Sequence, residues 1–214
     1  TLSQGACAGV PVVTAYHALF ADGDISRKTV LVTGGTGRVG AYAVQLGTWG
    51  GARVIATCGS EENCAEAKSL GAAVALNYKE PNLKERIIEA AGGPVDRIVE
   101  VAFGANTGLL PDILKPNGTV ATYASDAVPE PTFPFNQWMG NNVNIRMFTI
   151  YELGAQRQDE VLQAVSPLLN DDNLVHRVGE RFAFEDVVKS HEAVEQGAVH
   201  GVAQIVVAPD LADR

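Results

Sequence analysis

The stretch Thr29–Gly40, reading Thr-Val-Leu-Val-Thr-Gly-Gly-Thr-Gly-Arg-Val-Gly, constrains this chain more than any other. A run of β-branched and apolar residues meets a glycine cluster, and a helical pattern follows at once. Gly35, Gly37 and Gly40 satisfy G-x-G-x-x-G. In that spacing the first glycine permits a tight turn out of the strand. The second lets a pyrophosphate approach bare backbone, and the third lets the helix pack closely on the strand. The orphan N–H groups and positive dipole end of the new helix then face the phosphates. Glycine-rich turns are common, so the weight of the motif comes from its place between a strand and a helix.

Strands and helices alternate from Thr29 onward. Strands are expected at 29–33, 53–57, 73–76, 96–102, 119–123 and 143–150, and a last one at 204–207. Helices are expected from Arg38 to Trp49 and from Glu61 to Leu70, with Gly71 where a C-terminal cap belongs. Further helices run from Pro81 to the Gly92-Gly93-Pro94 breaker, from Asn106 to Leu114, from Asp159 to Leu169 and from Glu185 to Gln196. Residues 126–142 are rich in proline and asparagine and carry Phe133, Phe135 and Trp138, which suits a long connection with one helical turn. Phe182 and Phe184 are read as straddling a turn. Repeated βα alternation with short loops implies an α/β fold. Its core is a doubly wound six-stranded parallel sheet with helices on both faces and right-handed crossovers. Pro11 suits the first turn of a helix carrying Val12, Val13, Tyr16 and Leu19. Residues 1–28 therefore read as a helical preface, 29–151 as the dinucleotide-binding core, and 152–214 as C-terminal helices with a strand. A dinucleotide domain standing alone usually begins with its strand, so the preface suggests that something precedes it in the natural chain.

Composition removes other classes. Hydrophobic residues make up 46% and charged residues 19%, enough apolar material for a core. The net charge is −9 and no basic cluster offers a phosphate-tracking face, so no nucleic-acid partner is expected. No run of apolar residues is long enough to cross a membrane, and no signal peptide is visible. Cys7, Cys58 and Cys64 form no C-x-x-C pair, which fits reduced thiols in a cytoplasmic protein better than a disulfide or zinc site.

Taken together, the landmarks resemble the medium-chain dehydrogenase/reductase superfamily, and most its zinc-independent quinone oxidoreductase (zeta-crystallin-like) branch. Gly9-Val-Pro-Val-Val-Thr-Ala-Tyr-His-Ala-Leu19 is similar to the family's helix before the nucleotide fold. Thr33–Gly40 is similar to its phosphate turn. Gly59-Ser-Glu-Glu62, Leu70-Gly-Ala72, Leu76-Asn-Tyr78, Asn117-Gly-Thr-Val120, Asn144-Ile-Arg-Met-Phe148 and His191-Glu-Ala193 with Gly197 follow in the family's order. The resemblance implies a Rossmann core. It also implies an N-terminal GroES-like catalytic domain, absent here, to which the last strand would return. On this expectation the chain binds cofactor but lacks the full active site, and the last strand lacks its partners.

The resemblance also bears on metal and cofactor. In zinc-dependent members one catalytic ligand is a cysteine of the preface segment. Alignment on Thr14-Ala15-Tyr16 places Val10 there, and valine cannot ligate a metal. Cys7 lies three residues too early, and His17, His176, His191 and His200 form no H-x-x-x-H pair. No metal is expected. At the end of strand two, Thr57 and Cys58 replace the acid that would accept both ribose hydroxyls of NAD. Gly59 and Ser60 offer donors instead, and Tyr78 borders the 2′-phosphate in the family, which favours NADP(H). Relatives often carry lysine where Asn63 stands, a departure that removes a charge-assisted bond. Glu61 and Glu62 are read as first-turn acids favouring the helix dipole.

By resemblance, Thr36, Gly37, Arg38 and Val39 cradle the pyrophosphate. Arg38 stands where glycine is usual, and has two readings, a phosphate donor or a solvent-facing side chain. Phe103, Gly104 and Asn106 flank the adenine-side ribose. Tyr123, Ala124 and Ser125 lie beneath the nicotinamide ribose, and Phe148, Thr149 and Ile150 by the carboxamide. Thr14 and Tyr16 approach the nicotinamide or, for Tyr16 equally, pack in the core. The implied reaction is hydride transfer from NADPH to a quinone or conjugated carbonyl without zinc, and no catalytic residue is identifiable. Two rivals remain open. The turn also fits extended short-chain dehydrogenases, although no tyrosine here has a lysine four residues on. A non-enzymatic NADPH-binding sensor or structural protein is the other. The family further implies a homodimer through the sixth strand.

Overall fold

The structure is a computed structural model and describes residues 1–170 and 174–208. Helix α1 (Leu2–Phe20) leads into β1 (Thr29–Thr33), α2 (Arg38–Trp49), β2 (Arg53–Cys58), α3 (Glu61–Ser69), β3 (Val74–Asn77) and α4 (Leu83–Ala91). Then come β4 (Val95–Glu100), the short α5 (Phe103–Asn106) and α6 (Leu110–Ile113), β5 (Leu114–Thr122), α7 (Phe135–Gly140) and β6 (Asn144–Met147). The chain closes with α8 (Ala155–Asn170), β7 (Val178–Ala183), α9 (Val187–Glu195) and β8 (Val202–Val206). Six parallel strands form one sheet in the order β3-β2-β1-β4-β5-β6. This is the expected doubly wound sheet.

Strand alternation divides the core into two layers. Val30, Val32, Val54, Ala56, Val99 and Ala121 face α1, α2, α3 and α8. Leu31, Ile55, Ile98 and Val120 face the opposite way, against Ile87 of α4, Leu110 and Ile113 of α6, and Trp138 of α7. With both faces covered, the central strands read as apolar runs, as buried parallel strands do. Each fully buried aliphatic side chain contributes about 2 kcal/mol. Among the described residues no helix is long and apolar enough to cross a membrane.

Helix α1 belongs to this core. Thr1 caps it, its hydroxyl accepting the Gln4 N–H at 3.3 Å. The helix breaks at Gly9 (φ −18°, ψ −108°), and Pro11 sits in the first turn of the second segment, where its missing N–H costs nothing. Buried Arg97 of β4 fastens the far end. Its Nε donates to the Ala18 carbonyl at 2.6 Å and its Nη2 to Asp22 at 2.9 Å. Arg146 of β6 donates to the same carboxylate from Nε at 3.0 Å. The Arg146 hydrogen bonds, with those of Arg97 and against burial, hold the Asp22 carboxyl down to about 2.

Several boundaries differ from expectation. Pro81 does not open α4, because Asn82 takes a left-handed conformation (φ 58°) and the helix starts at Leu83. The helix expected from Asn106 to Leu114 is split into α5 and α6 around Gly108, and Leu114 already belongs to β5. Strand β5 starts early because a register shift between Val95 and Arg97 lets it pair along β4. Strand β6 ends at Met147, although the Phe148 N–H still donates to the Thr122 carbonyl at 3.2 Å. Ile150 starts a 3-10 turn. Phe182 lies within β7, a strand the sequence did not signal because its residues are mostly exposed and do not alternate. The last strand is therefore not without a partner, since β8 pairs in parallel with β7.

His17 of α1 packs edge-on against Phe148 at 4.7 Å and is 4% exposed. Its Nδ1 has no hydrogen-bond partner among the described residues. Burial, then Arg157, Arg146 and Arg97 against the opposing Asp22, push its pKa down from 6.5 to about 4. The folded state thus favours neutral His17. Its stabilising contribution is complete above pH 6.5 and is lost as pH falls through about 4. In denaturant titrations between pH 7 and pH 4, His17→Phe is expected to lose about 3 kcal/mol less stability than the wild type. Parallel losses in the two proteins would contradict this assignment.

Candidate functional site

The carboxyl ends of β1, β2, β4 and β5 converge on the glycine turn. Gly34, rather than Gly35, makes the tight turn, with φ +63°. Gly35 serves packing instead, since a Cβ there would lie 2.6 Å from the Ala56 Cβ of β2. A Cβ on Gly40 would lie 2.0 Å from the Gly34 carbonyl oxygen, so only glycine lets α2 start this close behind β1. Gly37 is the N-cap of α2 and supplies no side-chain acceptor, which leaves first-turn N–H groups for a ligand. Thr36 is buried, Arg38 exposed, and Val39 half-buried against the core.

The end of β2 carries Thr57 and Cys58, then Gly59 and Ser60 before α3. Tyr78 lies against Gly59, and a Cβ on Gly59 would meet the Tyr78 hydroxyl at 3.1 Å. Ser60 caps α3 by accepting the Asn63 N–H at 3.2 Å, which leaves its own O–H free to donate. Glu61 and Glu62 occupy the first turn of α3, as a favourable dipole pair would.

At the β4 and β5 ends, Gly104 N–H donates to Ser125 Oγ at 2.9 Å, and Ser125 Oγ donates to the Val128 carbonyl at 2.6 Å. Phe103 N–H donates to the Ala124 carbonyl at 3.2 Å. A side chain on Gly104 would drive into Val128, whose carbonyl oxygen lies 2.0 Å from the Cβ position. The sequence reading missed Glu100 here. It ends β4 and is wholly buried. Its carboxylate accepts the Thr33 hydroxyl at 3.0 Å, the Ala102 N–H, and Asn106 Nδ2 at 3.1 Å on both oxygens. Burial raises its pKa against these bonds. An acid directly after the apolar Ile98-Val99 pair at a strand end was the signal available in the sequence. Beside it a cavity of about 460 Å³ is lined by Gly34, Thr57, Tyr78, Ala105, Asn106 and Leu109 among others. Its largely apolar wall and few polar groups suit an adenine.

Tyr123 and Phe148 approach each other, with ring centroids 6.3 Å apart. Burial and then Glu100 raise the Tyr123 phenol above its ordinary range. Thr149 is exposed and Ile150 turns away from the sheet, so these two leave the strand rather than extend it. Thr14 donates to the Val10 carbonyl at 2.8 Å, and Tyr16 packs at a tilt against Phe20, ring centroids 4.7 Å apart, which favours packing for Tyr16.

Residues 39–169 match the family model described as zinc-binding dehydrogenase. The chain belongs to that family. The quinone-oxidoreductase homolog of Spinacia oleracea chloroplasts is 37% identical over 136 residues, 61% of this chain and 40% of that protein. The quinone oxidoreductase of Homo sapiens is 26% identical over 197 residues, 91% of this chain and 59% of that protein. The chain thus spans about half the length of these relatives. Among solved structures, the quinone oxidoreductase of Thermus thermophilus, described with its complex with NADPH, superposes with a TM-score of 0.83. It is 26% identical, and the match covers 95% of this chain and 67% of that one. These similarities support the quinone oxidoreductase branch and set aside the short-chain rival.

The family name implies zinc, and the described residues do not fit it. No group of three or more His, Cys, Asp or Glu among them could hold a metal ion. Cys7 Sγ donates to the Ser3 carbonyl at 3.3 Å and accepts Gln204 Nε2 at 3.2 Å, deep in the α1 packing. Burial, with Cys64 beside it, pushes the Cys58 thiol up to about 12, far from a metal-binding thiolate. A dinucleotide fits better, because the uncapped α2 terminus and the adjoining cavity supply donors and an apolar slot.

Glu100→Gln keeps the side-chain size but replaces an acceptor with a donor among donors. It is expected to cost about 2 kcal/mol in chemical denaturation. An unchanged denaturation midpoint would show that the carboxylate does not organise this edge.

Proposed function

We propose that this chain is the dinucleotide-binding part of an NADPH-dependent oxidoreductase. Its partner substrate is a small quinone or conjugated carbonyl, reduced without zinc. The observation that carries the reading is the end of β2, where Thr57, Cys58, Gly59 and Ser60 put no acid against a ribose 2′ substituent. NADPH supplies the hydride from C4 of its nicotinamide. Thr36, Gly37, Arg38 and Val39 hold the pyrophosphate, with the α2 N–H groups as donors. Gly59, Ser60 and Tyr78 border the adenosine ribose, and Gly104 flanks it. Tyr123, Ala124 and Ser125 support the nicotinamide ribose, and Phe148, Thr149 and Ile150 the carboxamide end. These residues orient the donor and exclude water, which is the protein's share of such a reaction. The buried, reduced thiols suit a reducing compartment such as the cytoplasm. Calorimetric titration of the 214-residue chain is expected to give tighter binding of NADPH than of NADH. The reverse order would overturn the cofactor assignment.

The half-exposed edge of β6 suits pairing with a second copy, with Met147 and Tyr151 exposed beside it. Light scattering at micromolar concentration is expected to give the mass of a dimer, and Ile145→Pro to give that of a monomer. A monomeric wild type would count against this interface.

A further inference from the structure

The sheet face that packs on α1 changes character towards its amino end. Val99 of β4 and Ala121 of β5 belong to the core on that face. Two residues earlier on each strand, Arg97 and Thr119 stand in register with each other and with Asn144 of β6. Residues two apart on a strand share a face, so this polar row continues the apolar one. The three side chains line a cavity of about 740 Å³ at the amino edge, the end of the sheet opposite the glycine turn. A polar floor on such a face is costly unless it meets water or a polar ligand.

The charge of the lining decides which ligand. Four cations, Lys28, Arg97, Lys115 and Arg146, face two acids, Asp22 and Asp96. This surplus of positive charge occurs in a chain whose net charge is −9. Both acids are already engaged. Asp22 is shared by the two arginines, and Asp96 accepts the Thr29 N–H at 2.8 Å and Lys115 at 2.7 Å. Donors remain. Arg97 is 4% exposed and is held through Nε and Nη2, which leaves its Nη1 without a hydrogen bond among the described residues. Arg146 is likewise held through Nε and Nη2 and keeps Nη1. Lys28 is exposed and makes no ion pair among the described residues, and Thr119 is half-buried with its hydroxyl towards the same face. Fixed guanidinium groups with free forks, a hydroxyl and an ammonium, converging from three strands and a loop, suit the several acceptor oxygens of a phosphate group.

We propose that Lys28, Arg97, Thr119 and Arg146 form a phosphate-binding site at the amino edge of the sheet, for inorganic phosphate or the phosphate of a small monoester. Dinucleotides lie at the carboxyl edge of such sheets, so this ligand is a second molecule and no part of the cofactor. The site uses side chains on the α1 face and none of the free backbone of β6.

The test is calorimetric titration of the 214-residue chain, with NADPH present in excess, using inorganic phosphate, glycerol phosphate and succinate at constant ionic strength. Arg146→Gln and Lys28→Ala are titrated alongside, and circular dichroism checks that both fold. Arg97 is left in place because it anchors α1. Arg146→Gln is expected to weaken both phosphates about tenfold, the loss of one charge-assisted bond. Lys28→Ala is expected to weaken them about threefold, since an exposed charge is screened. NADPH affinity is expected to stay within about twofold in both variants. Absence of phosphate binding in the wild type would overturn the site, and so would unchanged phosphate affinity in both variants. Succinate binding as tight as that of the phosphates would overturn the phosphate assignment. Failure of the chain to bind NADPH would overturn the cofactor reading alone, because the two variants still locate the phosphate.

Discussion

The carboxyl edge of this sheet depends on how closely α2 can begin behind β1. The Gly34 carbonyl occupies the place where a Cβ of residue 40 would stand. That contact sets the height of the α2 terminus above the sheet. The height decides whether its free N–H groups lie level with the ends of β2 and β4. A methyl group at residue 40 would lift the helix, and its free N–H groups would then no longer share one surface with the ends of β2 and β4.

Around this contact the molecule holds polar groups where an apolar core would be the simpler solution. Glu100 is wholly buried, yet it gathers Thr33 from β1, Ala102 beyond β4 and Asn106 from α5. A buried carboxylate is costly unless it is hydrogen-bonded, and here Oε1 accepts three bonds and Oε2 one. Arg97 plays the matching part at the opposite end of the sheet, where it ties Ala18 and Asp22 to β4. Removal of one partner of such a pair leaves an uncompensated charge, so these bonds fix the placement of α1 and of the carboxyl edge more than they add net stability. Arg177 extends the same logic to the C-terminal segment by joining the turn to Glu66 and to the approach of β7.

The sheet was legible because its signals are local. Thr29–Thr33 followed by spaced glycines predicts strand, turn and helix within a dozen residues, and the later βα alternation repeats the pattern. The shift of the tight turn from Gly35 to Gly34 was not legible, because both are glycine and only the register of β1 on β2 decides which one bends. Strand β7 was hidden for another reason. It is a partly exposed strand of a two-stranded sheet, so its residues carry neither an apolar run nor a clear alternation. The end of β6 was overestimated because Phe148 stays bonded to Thr122 while Thr149 and Ile150 turn away.

By itself the sequence determined the fold class, the glycine turn between β1 and α2, and the lack of an acid at Thr57 and Cys58. Each rests on residues that are neighbours in the chain, or on what a side chain cannot do. Only the tertiary structure decided which distant groups meet. Thr33 and Glu100 are 67 residues apart, Arg97 and Asp22 75, and Arg177 and Thr36 141. No periodicity or spacing encodes such pairs. They form because parallel strands with crossover helices bring remote strand ends to one edge, and because a buried charge must find its partner there.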